Sequence, residues 1–261
     1  MPIVALRAVS GDPFPMKIQK LTDAVAMGQA ASAQGAKVLR EVLAKKGRAN
    51  VIVATGASQF ETLKCLIKEP GIDWSKVTVF HLDEYVGISE AHGASFRKYL
   101  RERFISQLPV QPTFVPVDGD ASDLNAELKR LNDLIAACPI DLCFAGIGEN
   151  SHLAFNDPPA DFATEVPYIV VNLDHACRQQ QFGEGWFPTF DDVPKQAVSM
   201  SIRQIMKSAC LILSVPDKRK AAAVKGTVEG PVTPTCPASI VQQHADCTLY
   251  VDVAAASELS R

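Results

Sequence analysis

The stretch Phe144-Ala-Gly-Ile-Gly-Glu-Asn-Ser-His-Leu-Ala-Phe-Asn-Asp-Pro-Pro159 decides how the chain is read. The apolar run Asp141-Leu-Cys-Phe-Ala145 that leads into it predicts a buried strand, and Gly146 and Gly148 let the chain turn sharply over the strand's end. Glu149, Asn150, Ser151, His152, Asn156 and Asp157 then fall within nine positions, in a loop closed by two prolines that cannot continue a helix. A histidine close to a carboxylate at the carboxyl end of a strand stands where α/β folds place ligands. Taken one at a time, the glycines and His152 read as an ordinary strand-to-helix turn with a surface histidine, because short motifs recur by chance. A second stretch changes that balance.

Val77-Thr-Val-Phe-His-Leu-Asp-Glu-Tyr-Val-Gly87 is again an apolar strand ending in a polar turn, here carrying Asp83 and Glu84. Upstream, apolar residues recur at helical spacing from Leu21 to Lys46, and Gly47 follows a basic last turn, which predicts a long amphipathic helix. Asn50 to Ala54 is a fully apolar strand. Thr55-Gly-Ala-Ser58 leads from it into a helix with Phe60, Leu63 and Leu66 on one face; small residues in such a turn expose backbone N–H groups to an anion. Helices are expected at Ser95 to Gln107, 121–138, up to Lys207, and Asp217 to Glu229, with strands at Ile140, Tyr168 to Asn172, Ala209 to Val215 and Thr248 to Val253. A short strand is expected at Ile3 to Val9, within an extended arm. Strand and helix in this rhythm imply one α/β domain over 1–261, a Rossmann-like three-layer α/β/α fold with a mainly parallel sheet. The segment 158–194 breaks the rhythm. Its two glycines and Trp186-Phe187 predict a lid, since long irregular segments in compact domains are usually functional.

Composition narrows the function. A hydrophobic share of 47% and a charged share of 21% are ordinary for a globular protein. A net charge of -3, with no basic run longer than Lys218-Arg-Lys220, argues against nucleic acid as partner. No apolar stretch approaches the ~20 residues that span a bilayer, and the N-terminus lacks a signal-peptide pattern, so no membrane partner and a cytoplasmic location are expected. The seven cysteines are scattered without a Cys-x-x-Cys pair, so free thiols are expected. No metal, nucleotide or other cofactor motif is present.

The two strand-end motifs, in this order, resemble the glucosamine-6-phosphate deaminase family, whose fold is shared by 6-phosphogluconolactonases. There one strand ends in Asp-Glu-Tyr-Val-Gly and a later one in Gly-Ile-Gly followed by His-(Ile/Leu)-Ala-Phe-Asn-(Glu/Asp)-Pro. The likeness extends through Val193-Pro-Lys195, Lys220-Ala-Ala-Ala and Val228-Glu-Gly230. It implies an amino-sugar phosphate substrate, isomerised from aldose to ketose with release of ammonia. Asp83, beside Glu84, is the implied proton carrier between sugar carbons, and His152 the ring-opening acid/base. Asp157 and Asn150 are its implied orienting partners. Asp157 stands where many members have Glu, and Asn150 where they have a carboxylate; Asn can orient an imidazole but cannot stabilise an imidazolium by charge. The implied phosphate ligands are Thr55, Gly56, Ala57, Ser58 and Lys220, with Gly146 and Gly148 shaping the site and Arg178 as the nearest counterpart of the family's lid arginine. The basic run that serves as an allosteric site in some relatives is replaced here by the acidic Ala160 to Pro167. Tyr85 and Ala154-Phe-Asn156 separate the chain from the lactonase pattern, which is the rival hydrolase reading. A sugar-phosphate-binding paralogue without turnover is the rival from another class. An even-numbered homo-oligomer is the general expectation.

Overall fold

The computed structural model describes residues 16–260, so the strand expected at Ile3 to Val9 lies outside the described residues. In chain order, β1 (Lys17–Leu21), α1 (Ala24–Lys46), β2 (Ala49–Val53), α2 (Phe60–Leu66), β3 (Val77–His81) and β4 (Asp83–Tyr85) come first. There follow α3 (Phe96–Arg103), β5 (Thr113–Val115), α4 (Leu124–Ala136), β6 (Leu142–Ala145), β7 (Tyr168–Asn172) and α5 (His175–Gly183). The chain closes with β8 (Gln196–Met200), α6 (Ile202–Met206), β9 (Cys210–Val215), α7 (Ala221–Glu229) and β10 (Cys247–Asp252).

Seven strands form one sheet in the order β1-β10-β9-β6-β2-β3-β5, with every neighbouring pair parallel. Its central strands are apolar at nearly every position because both faces are covered. Val51, Val53, Leu142, Phe144 and Ile212 pack on one side with Met27, Ala31 and Leu39 of α1. Ile52, Cys143, Ala145, Leu211 and Leu213 pack on the other with Leu131 and Ile135 of α4 and Val224 of α7. The first helix ends where its glycine predicts: Gly47, at φ 70°, donates its N–H to the Leu43 carbonyl at 2.9 Å.

The strand order positions the site. From β2 the chain moves outward to β3 and β5, whereas β6, β9 and β10 move outward on the opposite side. The carboxyl ends of β2 and β6 therefore flank a topological switch point, where diverging loops leave a crevice. Beside it lies a second sheet, antiparallel, in the order β4-β8-β7. Two expectations are corrected here. Asp83-Glu84-Tyr85, expected as a polar turn, is strand β4, and Gln196–Met200, expected within a helix, is strand β8. All of β8 except Gln196 is buried, so it shows no polar alternation by which to recognise a strand. The edge strands escape the sequence reading for other reasons: β1 is largely polar and exposed, and β5 is only three residues long. The segment 158–194 contains β7 and α5. All seven cysteines are free, and no helix among the described residues is long and apolar enough to cross a membrane.

Candidate active site

The loops after β2, β6, β9 and β10 meet β4 above the switch point and enclose a cleft of about 620 Å³. Thr55, Gly56, Ala57 and Ser58 line it together with Asp83, His152 and Lys220; Gln180, Gln181 and Glu184 line it from α5 and its end. Residues as far apart in the chain as Ala24 and Ala254 thus share one small volume.

Asp83 begins β4 and is only 8% exposed. Burial, and then the charge of Glu84, push its carboxyl up to about 8. Glu84 points away from the cleft. Fully buried, it accepts hydrogen bonds from Ser95 Oγ (2.8 Å), Arg97 N (3.0 Å), Phe96 N (3.2 Å) and its neighbour Tyr85 N (3.0 Å). It therefore holds the N-terminus of α3, whose free N–H groups need an acceptor. Burial raises its pKa, against the lowering effect of those donors.

His152 is set by a network. Its Nδ1 lies 3.1 Å from Asp157 Oδ1, so the shorter Asp side chain does reach. Asn150 accepts the His152 backbone N–H through Oδ1 (3.1 Å) and donates through Nδ2 to Asp157 Oδ1 (2.9 Å) and Asp174 Oδ2 (3.3 Å). Asp174 N in turn donates to Asp157 Oδ2 at 3.0 Å, tying the start of α5 to the loop. Burial pushes the Asp157 carboxyl up, but the hydrogen bond and charge of His152, with the Asp174 N–H and Asn150, together leave it below its usual value. Neither Asp157 nor Asn150 lines the cleft; both bond to His152 instead. The other ring nitrogen, Nε2, faces Gly148 so closely that a Cβ there would stand 2.3 Å from it. Asn156 is also placed by the fold, donating to the carbonyls of Leu153 (2.7 Å) and Met200 (2.8 Å) and so joining the loop to β8.

At the opposite end, Thr55 Oγ1 is buried without a partner among the described residues. Gln59, wholly buried, donates to Ser58 Oγ (3.0 Å), Ala145 O (2.9 Å) and Ser214 O (3.3 Å), which binds the Thr55–Ser58 loop to β6 and β9. Gly146 is needed for this closeness: a Cβ on it would lie 2.5 Å from Ser58 Oγ. Lys220 is 9% exposed, and burial lowers its pKa. It makes no ion pair among the described residues, so its charge is available to a ligand anion.

With this geometry in view, the likeness to known proteins is specific. The family described as glucosamine-6-phosphate isomerases/6-phosphogluconolactonase matches residues 22–250. The chain belongs to this family. Family relatives include a glucosamine-6-phosphate deaminase of Streptococcus equi subsp. equi (strain 4047), 38% identical over 244 residues, covering 94% of this chain and 100% of the relative. One from Streptococcus pyogenes serotype M1 has the same identity and coverage. Among solved structures, a monomeric glucosamine-6-phosphate deaminase aligns with TM-score 0.85 at 32% identity, covering 93% of this chain and 99% of that one. A 6-phosphogluconolactonase from Shewanella baltica OS155 aligns with TM-score 0.76 at 18% identity, over 93% and 99% of the two chains, and shows the shared fold.

Arg178, read from the sequence as the family's lid arginine, is not brought to the cleft. Its guanidinium donates to the carbonyls of Val193 (2.8 Å) and Phe190 (3.0 Å) and lies 4.3 Å over the Phe190 ring, so its donors are spent on the turn that follows α5. Lys218 and Arg219 line the cleft beside Lys220; the sequence reading noted Arg219 only as part of the basic run Lys218-Arg-Lys220. Asp217, at φ 85°, turns the chain after β9 and holds Arg219 Nη2 at 2.9 Å, while Arg219 Nη1 stands 3.6 Å from Glu149. Only its adjacency to Lys220 could have suggested it. Gln180, Gln181 and Glu184 carried no motif and were missed.

Proposed function

We propose that this protein converts an amino-sugar 6-phosphate, glucosamine 6-phosphate in the first instance, and water into fructose 6-phosphate and ammonia. The observation that carries the reading is that Asp83 and His152, from different strand ends, line one cleft together with the Thr55–Ser58 loop and Lys220. Family membership with deaminases at 38% identity over nearly the whole chain supports the substrate.

The phosphate is bound by the backbone N–H groups and hydroxyls of Thr55 to Ser58 and by the Lys220 ammonium, with Arg219 at the rim. His152 opens the sugar ring: Nε2 takes the proton of the anomeric hydroxyl and returns it to the ring oxygen, while Nδ1 donates to Asp157. The open chain is a 2-amino aldehyde. Asp83 removes the proton from C2 as the electron pair moves onto O1 to give an amino-enolate; the same carboxyl returns the proton to C1 as the nitrogen lone pair forms the C2=N bond, and a proton passes from nitrogen to O1. The resulting C2 imine is hydrolysed by water to the ketone and ammonia. A carboxyl tuned to about 8 is suited to both halves of this transfer, because its basicity is close to working pH. The segment 158–194 serves as the cover, presenting Gln180, Gln181 and Glu184 to the bound sugar.

The test is ammonia release from glucosamine 6-phosphate beside galactosamine 6-phosphate, with Asp83→Asn as control. Release from one epimer that is lost in the variant is expected. Absence of release from both, with hydrolysis of 6-phosphogluconolactone instead, would overturn the reading.

A further inference from the structure

Behind His152, on the side away from the cleft, the side chain of Cys177 completes a trio that the proposed chemistry does not use. His152, Asp157 and Cys177 each offer one ligand atom, and these atoms all lie within 4.8 Å of one another. Cys177 is 1% exposed and His152 7%. The trio joins two separate segments, the loop after β6 and the first turn of α5, and it is held together by the Asp174 N–H to Asp157 and by Asn150 bridging Asp157 and Asp174.

We propose that His152 Nδ1, Asp157 and Cys177 form an inhibitory site for a thiophilic divalent cation of the zinc type. Zinc takes one nitrogen, one oxygen and one sulfur ligand in a tetrahedral array, leaving a fourth position for water, and at its usual bond lengths such ligand atoms stand roughly 3.3–3.6 Å apart. The 3.1 Å separation of His152 Nδ1 and Asp157 Oδ1 already approaches that spacing, and a small rotation of each side chain admits the ion. The sulfur decides the class of ion. Magnesium and calcium require oxygen ligands in larger number and gain little from a thiolate.

Protons balance as follows. The thiol loses its proton to solvent as the metal–sulfur bond forms, and the imidazole shifts its proton from Nδ1 to Nε2 as the metal–nitrogen bond forms, with no redox change. That shift is the inhibition: Nε2, which in the proposed mechanism must accept the anomeric proton, is now capped. The phosphate subsite at Thr55–Ser58 and Lys220 lies on other loops and is untouched. Occupancy therefore lowers kcat while leaving KM near its metal-free value. The inhibition rests on His152 being the ring-opening group, whereas the binding site does not.

Two readouts separate these levels. Metal-free protein is titrated with cobalt(II), a spectroscopic stand-in for zinc, and in parallel ammonia release is followed against zinc, with magnesium as control. Wild type is expected to develop a thiolate-to-cobalt charge-transfer band and intense tetrahedral bands, and to lose kcat to zinc but not magnesium, reversibly with a chelator. Cys177→Ala, which leaves six other cysteines in place, is expected to keep its metal-free turnover, to lack the band, and to need at least roughly tenfold more zinc for half-inhibition, having lost one of three ligands. Cys177→Val, which fills the apolar site, is a second variant in case alanine fails to fold. An unchanged cobalt spectrum or an unchanged zinc midpoint in the variants overturns the site. If metal-free wild type releases no ammonia, the deaminase reading fails, and the cobalt titration still decides the site.

Discussion

Asp83 is a single buried side chain that makes the stability of the fold depend on pH. Its folded pKa of about 8 lies above the ordinary 3.8, so between these values the folded protein keeps a proton that the unfolded chain has released. Stability from this group is complete below the unfolded value, declines as pH rises toward 8, and levels off beyond it, because the slope follows the difference in bound protons. Asp83→Asn removes the titration. The variant's melting temperature should gain on wild type from pH 5 to pH 8, while its ammonia release falls by about a hundredfold or more, as expected for loss of a general base. In wild type, kcat/KM should rise with pH to a plateau above about 8, and a rate profile without that limb would contradict Asp83 as the base. Asp83 and His152 were legible in the sequence because each stands in a dense local motif at a strand end. Arg178 and Arg219 were not, since the direction of a long side chain is set by partners distant in sequence.

At the level of elements, the two glycines after β6 make room for different side chains, Ser58 and His152, and so offer separate tests of the proposed binding and chemistry. Gly146→Ala would press its Cβ on Ser58 Oγ at 2.5 Å and so displace the phosphate loop, whereas Gly148→Ala would press on the His152 ring at 2.3 Å. The first should raise KM by roughly tenfold with a smaller change in kcat, and the second should lower kcat by roughly a hundredfold with KM less affected. Initial rates over a range of substrate concentration distinguish them. Glu84 belongs to the same scale: Glu84→Ala strands four donors around the start of α3 and should cost about 3 kcal/mol in urea unfolding. Glu84→Gln, which keeps an acceptor, should cost less. The sequence reading paired Glu84 with Asp83 as one acidic turn; as strand β4 the two point to opposite sides, one to the cleft and one to α3.

Across the whole molecule, the cleft exists only because strands run outward in both directions from the gap between β2 and β6. The cleft consequently draws on chain segments far apart in sequence, and ligand binding there should stabilise the entire fold. Inorganic phosphate at one hundred times its Kd should add about 2.7 kcal/mol by mass action. In Lys220→Met, of similar length but without charge, that melting shift should vanish while the ligand-free melting temperature holds or rises, since a buried ammonium is no longer desolvated. Thermal unfolding with and without phosphate measures both.

The sequence by itself determined the parallel α/β class, the long first helix with its glycine stop, and the strand ends that carry Asp83 and His152, because these depend on periodicity and short-range turn chemistry. Tertiary structure alone decided that Gln196–Met200 is a strand, that Glu84 caps a helix, that Arg178 turns away and Arg219 turns in, and that Cys177 stands behind His152. These depend on which distant surface a residue is packed against, and a buried strand or a long cation carries no local mark of its partner.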